Sequence, residues 1–273
     1  MSRRDFTGKI LLISGAAGGL GAALCHRYGA AGAQIAAMDI DPGRLDALMA
    51  SLHAKRINAL ALPGNITERA ACEAAVEAAL SHFGALDGLI NNAGISHRSL
   101  LRDTDPAVIR RVMEVNFFGA LYLTHAALPY ITARRGVIAA ISSVAGYSPL
   151  IGRTGYSASK HALHGFFESL RSEVEGAGVG VTLVCPSFIN TGIGAAALNG
   201  GGGSVSGQRI TSGGESSAED IAERIFTAIA ENRHLLLPDR TSRLAWWISR
   251  LVPAFYARVM KRRVGAEFPN VPG

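Results

Sequence analysis

The chain has 273 residues, of which 48% are hydrophobic, with a mean hydropathy of +0.22 and a formal net charge of +6 at pH 7. That length can bury a substantial core and suits one α/β unit; no internal repeat or second domain is visible. No apolar stretch is long enough to span a bilayer, and no nucleic-acid motif accompanies the basic excess.

Ser2-Arg3-Arg4-Asp5-Phe6, followed by the apolar stretch Ile10 to Cys25, has the form of a twin-arginine export signal. Cleavage there would remove what reads as a first strand and a ligand loop, so the chain is expected to stay in the cytoplasm. Residues 10–14 (Ile-Leu-Leu-Ile-Ser) form a short apolar run of the kind found in buried parallel strands. They lead into Gly15-Ala16-Ala17-Gly18-Gly19-Leu20-Gly21, an alanine-rich helical stretch from Ala22 to Ala31, and a second strand from Gln34 that ends in Asp39. Glycines there let backbone N–H groups approach a pyrophosphate, and the following helix turns its positive end to the same anion. Asp39, eighteen positions after Gly21, lies close to the spacing at which an acid meets the ribose hydroxyls of a dinucleotide.

Further apolar strands are expected near residues 57–62, 86–91, 136–142 and 179–185. A helix over 218–230 and a last short strand at 235–237 complete the alternation. This is the pattern of a doubly wound parallel sheet, the Rossmann fold. Tyr156 and Lys160 stand four apart, on one helix face, with Ser142 and Ser143 upstream. A free phenol titrates near 10, and bringing it to about 7 takes roughly 4 kcal/mol of preferential stabilisation of the phenolate. The lysine ammonium and a cationic cofactor ring are plausible sources of it.

These motifs resemble the short-chain dehydrogenase/reductase family from about residue 6 to about residue 240. The spacing Gly15-x-x-x-Gly19-x-Gly21 is that family's form, and Asn91-Asn92-Ala93-Gly94 matches its Asn-Asn-Ala-Gly signature. Asn116, Ser143, Tyr156 and Lys160 fall where its catalytic tetrad belongs. The resemblance implies that Tyr156 exchanges a proton with the substrate oxygen, acting as base in oxidation and acid in reduction. Ser143 would bond that oxygen, Lys160 would lower the phenol pKa and hold the ribose, and Asn116 would anchor a relay water. Cofactor contacts are expected from Ser14, Gly15, Ala17, Gly19, Leu20, Gly21, Asp39, Ile40, Asn65, Ile66, Asn92, Ala93, Gly94, Tyr156, Lys160, Pro186, Ile189 and Thr191. Three positions depart from the pattern: Ser14 for threonine, Asn65 for aspartate, and Ser187 for a glycine whose absence could reshape the loop beside the nicotinamide.

Asp39 would repel a 2′-phosphate, and neither Gly18 nor Ile40 offers a cation, so NAD is expected over NADP. Ser143, Tyr156, Tyr147, Leu150, Ile151 and Phe188 are expected to line an apolar substrate pocket suited to a lipophilic secondary alcohol or ketone. An NADPH-dependent 3-oxoacyl-thioester reductase would share every motif, and a non-catalytic nucleotide-binding protein is the alternative of another class. No metal is expected, and His97, His125, His161 and His164 read as surface or packing residues. Cys25, Cys72 and Cys185 form no C-x-x-C and fit reduced, buried thiols.

Residues 192–217 contain Gly200-Gly201-Gly202-Gly203 among serines, too flexible to form a helix or strand dependably; in the resembling family this stretch is the lid over the substrate. The first 241 residues read as one unit and 242–273 as an amphipathic extension. Leu244, Ile248, Leu251, Val252, Phe255 and Val259 gather on one side, with Arg243, Arg250 and Lys261 opposite and a kink at Pro253. This stripe is expected to pack on protein, at the pocket mouth or on a second subunit of a homodimer or homotetramer, with peripheral membrane contact as the alternative.

Overall fold

The computed structural model describes residues 3–190, 197–205, 215–264 and 267–268. Thr191 and most of the segment 192–217 lie outside them. A seven-stranded parallel sheet runs in the order β3-β2-β1-β4-β5-β6-β7. Its strands are β1 Ile10–Ser14, β2 Gln34–Asp39, β3 Ala59–Pro63, β4 Gly88–Asn91, β5 Val137–Ile141, β6 Gly180–Val184 and β7 Leu235–Leu236. The doubly wound architecture expected from the alternation is present, and each strand lies within a few residues of its expected place.

Helices α1 Gly19–Ala30, α2 Pro42–Ala54 and α7 Ala218–Ala230 belong to one side of the molecule; α3 Arg69–Phe83, α5 Gly119–Ala133 and α6 Thr154–Val174 belong to the other. The strands alternate between the two cores. Leu11 and Ile13 enter the first, Ile10 and Leu12 the second, which is why β1 is apolar throughout. Arg3 and Arg4 are engaged in the fold, Arg4 donating to the carbonyls of Arg135 and Gly178 at 2.7 and 3.1 Å. All three cysteines are free and buried, as expected.

The order reverses between β1 and β4, whose carboxyl ends open a crevice at the switch point. A short helix, α4 Pro106–Met113, leads to α5 through one π-helical turn, Glu114–Phe118, which contains Asn116. Such turns insert a residue into the α-helical ladder and recur at functional sites.

Two helices end the described chain, α8 Arg240–Leu251 and α9 Pro253–Val264. The break falls at Val252, ahead of the expected proline. On α8 the face meeting the body is the one bearing Ser242 and Ala245, while Leu244, Leu251, Val252 and Phe255 are exposed. The expectation that the apolar stripe covers this subunit is therefore corrected: close approach to the turn after β5 favours small side chains, so the helix docks by its small-residue face. Among the described residues no helix is long and apolar enough to cross a membrane.

Candidate active site

The glycine loop is built around close backbone approaches. Gly15 adopts φ +62°, and a Cβ there would stand 2.8 Å from the Ala93 Cα; a Cβ on Gly21 would collide with the Gly15 carbonyl. Ser14 fixes the loop to β4, its Oγ accepting the N–H groups of Asn92 and Ala93, both at 3.1 Å. Asn92 returns its amide to the carbonyls of Ser14 and Gly15. The amino end of α1 has no side-chain cap and no acid in its first turn, which keeps its partial positive charge for an anion. Leu20 is buried in the core beneath the loop, while Ala17 and Gly19 face outward.

Asp39 closes β2 beside this loop. One oxygen accepts from Ala17 N at 2.9 Å and the other from Asp41 N at 3.1 Å. Ile40 is well exposed at the rim. Arg44, which sequence reading missed, donates to the Ala17 carbonyl at 2.8 Å and so brings a cation to the loop. Asn65 shapes its own turn: its carbonyl oxygen accepts from both the Thr67 N–H and hydroxyl, and its amide donates to Glu68. Ile66 turns its side chain into the core against Gly119.

Asn116, Ser143, Tyr156 and Lys160 converge at the carboxyl ends of β4 and β5. Asn116 Oδ1 accepts from Ile95 N at 2.8 Å, and its amide donates to the Ile95 carbonyl and, at 2.9 Å, to Ser159 Oγ. Ser159 in turn donates to the Tyr156 carbonyl at 2.8 Å. Lys160 is buried, and its Nζ donates to the Ile141 carbonyl at the end of β5, 2.7 Å away. Burial lowers its ammonium pKa to about 8. The Nζ lies 5.7 Å from the Tyr156 ring centre. Ser143 stands two residues past the end of β5, and its Oγ accepts from Ala145 N at 3.2 Å. A Cβ on Gly94 would sit 3.2 Å from Asn116 Oδ1 and 3.5 Å from Lys160 Nζ, so the glycine keeps a hollow open beside both. The uncapped helix end, the glycine loop, the Asp39 carboxylate and this hollow fit a dinucleotide.

Leu150, Ile151 and Phe188, expected to line a substrate pocket, are half-buried. Tyr147, expected to face substrate, instead donates its hydroxyl to the Ser242 carbonyl at 2.7 Å and packs edge-on against Trp246. Burial holds that phenol well above its usual pKa. Its role is to seat α8, because an unpaired hydroxyl at that depth would be costly. Pro186 accepts from Val144 N, and Ile189 packs against the core; Thr191 lies outside the described residues. Ser187 is not among the residues with left-handed backbone, so the missing glycine imposes no strain. Its N–H donates to Asp239, which also caps α8 through Ser242.

Two further contacts escaped sequence reading. His97 is fully buried, and its Nε2 accepts from Gly155 N at 2.9 Å, capping the helix that carries Tyr156. Arg153, at the head of the same helix, pairs with Glu267 at 3.2 Å, and Phe268 lies against Gly152. Nothing local in the sequence signals either, since the partners are 58 and 114 positions apart. His164 is also buried, as a packing residue, and no group of residues able to hold a metal occurs among those described. The Gly200–Gly203 run forms a turn in which Asn199 Oδ1 accepts from the N–H groups of Gly201 and Gly203.

Residues 9–199 match the model of the short chain dehydrogenase family. The chain belongs to the short-chain dehydrogenase/reductase family. A protein of Anopheles gambiae described as dehydrogenase/reductase SDR family protein 7-like is 37% identical over 95% of this chain and 84% of its own length. Dehydrogenase/reductase SDR family member 7B of Mus musculus is 36% identical over 94% of this chain and 82% of its own length. Among solved structures, a short-chain dehydrogenase/reductase of Burkholderia phymatum in complex with NAD superposes with a TM-score of 0.78 at 26% identity, covering 99% of this chain and 98% of that one. The protein is therefore an oxidoreductase of this family.

Proposed function

We propose that the protein interconverts a lipophilic secondary alcohol and its ketone, with NAD(H) as hydride carrier and Tyr156 as general acid and base. The observation that carries this reading is the hydrogen-bonded path from Ile95 through Asn116 and Ser159 to the backbone of Tyr156, with buried Lys160 one helical turn further on. When bound, the nicotinamide supplies the hydride acceptor or donor. The chain supplies the rest. Ser143 hydrogen-bonds the substrate oxygen, and the Tyr156 phenol takes its proton in oxidation or returns it in reduction. Lys160 spends one N–H on Ile141 and directs the others to the ribose and the phenol, stabilising the phenolate. Asn116 is held by both backbone groups of Ile95 and so fixes the π-helical turn where a relay water would bind.

Asp39 would accept the ribose hydroxyls after releasing its loop amides, and Ile189, whose side chain is packed inward, would meet the carboxamide through its backbone. Leu150, Ile151 and Phe188 supply the apolar wall that favours a lipophilic substrate. The NADPH-dependent reading is favoured by one observation, the Arg44 guanidinium at the glycine loop. A panel of secondary alcohols and ketones, followed by absorbance of reduced nicotinamide with both cofactors, tests the function. Tyr156→Phe is expected to lower turnover by about 10²–10⁴-fold while cofactor affinity holds. A mutant retaining more than about half the rate, with chemistry limiting, would remove Tyr156 from its role.

A further inference from the structure

Helices α8 and α9 carry an apolar face that nothing among the described residues covers. Leu244, Trp247 and Leu251 stand at i, i+3 and i+7 on one side of α8, exposed by 61, 60 and 72%, and Val252 and Phe255 extend the patch at 52% each. An exposed run of this kind marks a contact surface. The surrounding charge selects the partner. Arg240, Arg243, Arg250, Arg258, Lys261 and Arg262 lie on the same two helices, and no Asp or Glu occurs from Arg240 to Val264.

A second copy meeting this face across a twofold axis would set like charges against one another. An anionic lipid surface suits both features: acyl chains accept apolar side chains of any shape, and headgroups neutralise the cations. An exposed indole such as Trp247 favours that boundary. We propose that α8 and α9 lie in the interface of an anionic membrane, with Leu244, Trp247, Leu251, Val252 and Phe255 inserted and the basic side chains on the headgroups. Tyr147 and Asp239 tie α8 to the loops that follow Ser143 and Pro186, so docking there would bring the wall of the site to the lipid.

The test uses the full chain, with vesicles of phosphatidylcholine alone and of phosphatidylcholine mixed with phosphatidylglycerol. Trp246 and Trp247 are the only tryptophans, so their emission reports on α8 directly. The protein is expected to sediment with the mixed vesicles, with blue-shifted emission quenched by brominated acyl chains, and to be released by salt. Leu244→Ser/Leu251→Ser/Phe255→Ser should weaken partitioning at least about tenfold. A wild-type protein that stays in the supernatant with both vesicles, or whose tryptophans escape bromine quenching, overturns the proposal. So does a dimer in gel filtration that the triple variant turns into a monomer while the wild type ignores vesicles.

Discussion

The place of Asp39 at the end of β2, beside the glycine loop, was legible because spacing alone locates the residue that ends that strand. Arg44 was not, because nothing in a pattern of strand and helix says which way a side chain on the first turn of α2 will lean. The two now oppose each other at the same loop: the carboxylate accepts from Ala17 N, and the guanidinium donates to Ala17 O. With Asp39 present, a 2′-phosphate would meet a like charge, and kcat/KM should favour NAD over NADP by at least about tenfold. In Asp39→Ala, Arg44 becomes the nearest counter-charge, so NADP use should rise, and the double variant Asp39→Ala/Arg44→Ala should lose that gain. Steady-state kinetics with both cofactors check this, and an NADP preference unchanged in Asp39→Ala would refute it.

At the scale of elements, buried parallel strands announce themselves because both faces are apolar, and α7, expected over 218–230, spans those residues, with Ser217 accepting from Asp220 N at its start. The tail was harder. Its stripe was visible, yet which face docks depends on the space beside Tyr147 and Ser148, and periodicity carries no record of that. Nor could it show that the tail reaches Arg153, whose side chain is buried with that of Glu267 at the head of α6. Removing one member of a buried ion pair takes a counter-charge from the other, which in buried pairs costs up to about 3–5 kcal/mol. Glu267→Gln is accordingly expected to lower the thermal midpoint and, by loosening the start of the helix that carries Tyr156, to raise the substrate KM. Calorimetry and kinetics on the same variant decide it: an unchanged midpoint with unchanged KM would show that the pair holds nothing.

Across the whole molecule, two histidines are buried where their charged forms are disfavoured. Burial, then nearby Arg153, lowers the His97 pKa to about 4; burial, with His161, Arg250 and Lys160 behind it, does the same to His164. An unfolded histidine titrates near 6.5, so between about pH 6.5 and 4 the unfolded chain binds protons that the folded chain refuses. Stability contributed by the neutral rings is therefore complete above about 6.5 and is lost as pH falls toward 4, by up to about 3 kcal/mol for each site. The loss at His97 also has a structural form, since a protonated ring has no lone pair for Gly155 N and the cap of α6 opens. His97→Gln keeps an acceptor there but cannot titrate. Denaturant unfolding of wild type and variant at a series of pH values should therefore show a shallower acid loss in His97→Gln. Parallel curves from pH 7 to 4 would mean that His97 does not govern the acid stability of the fold.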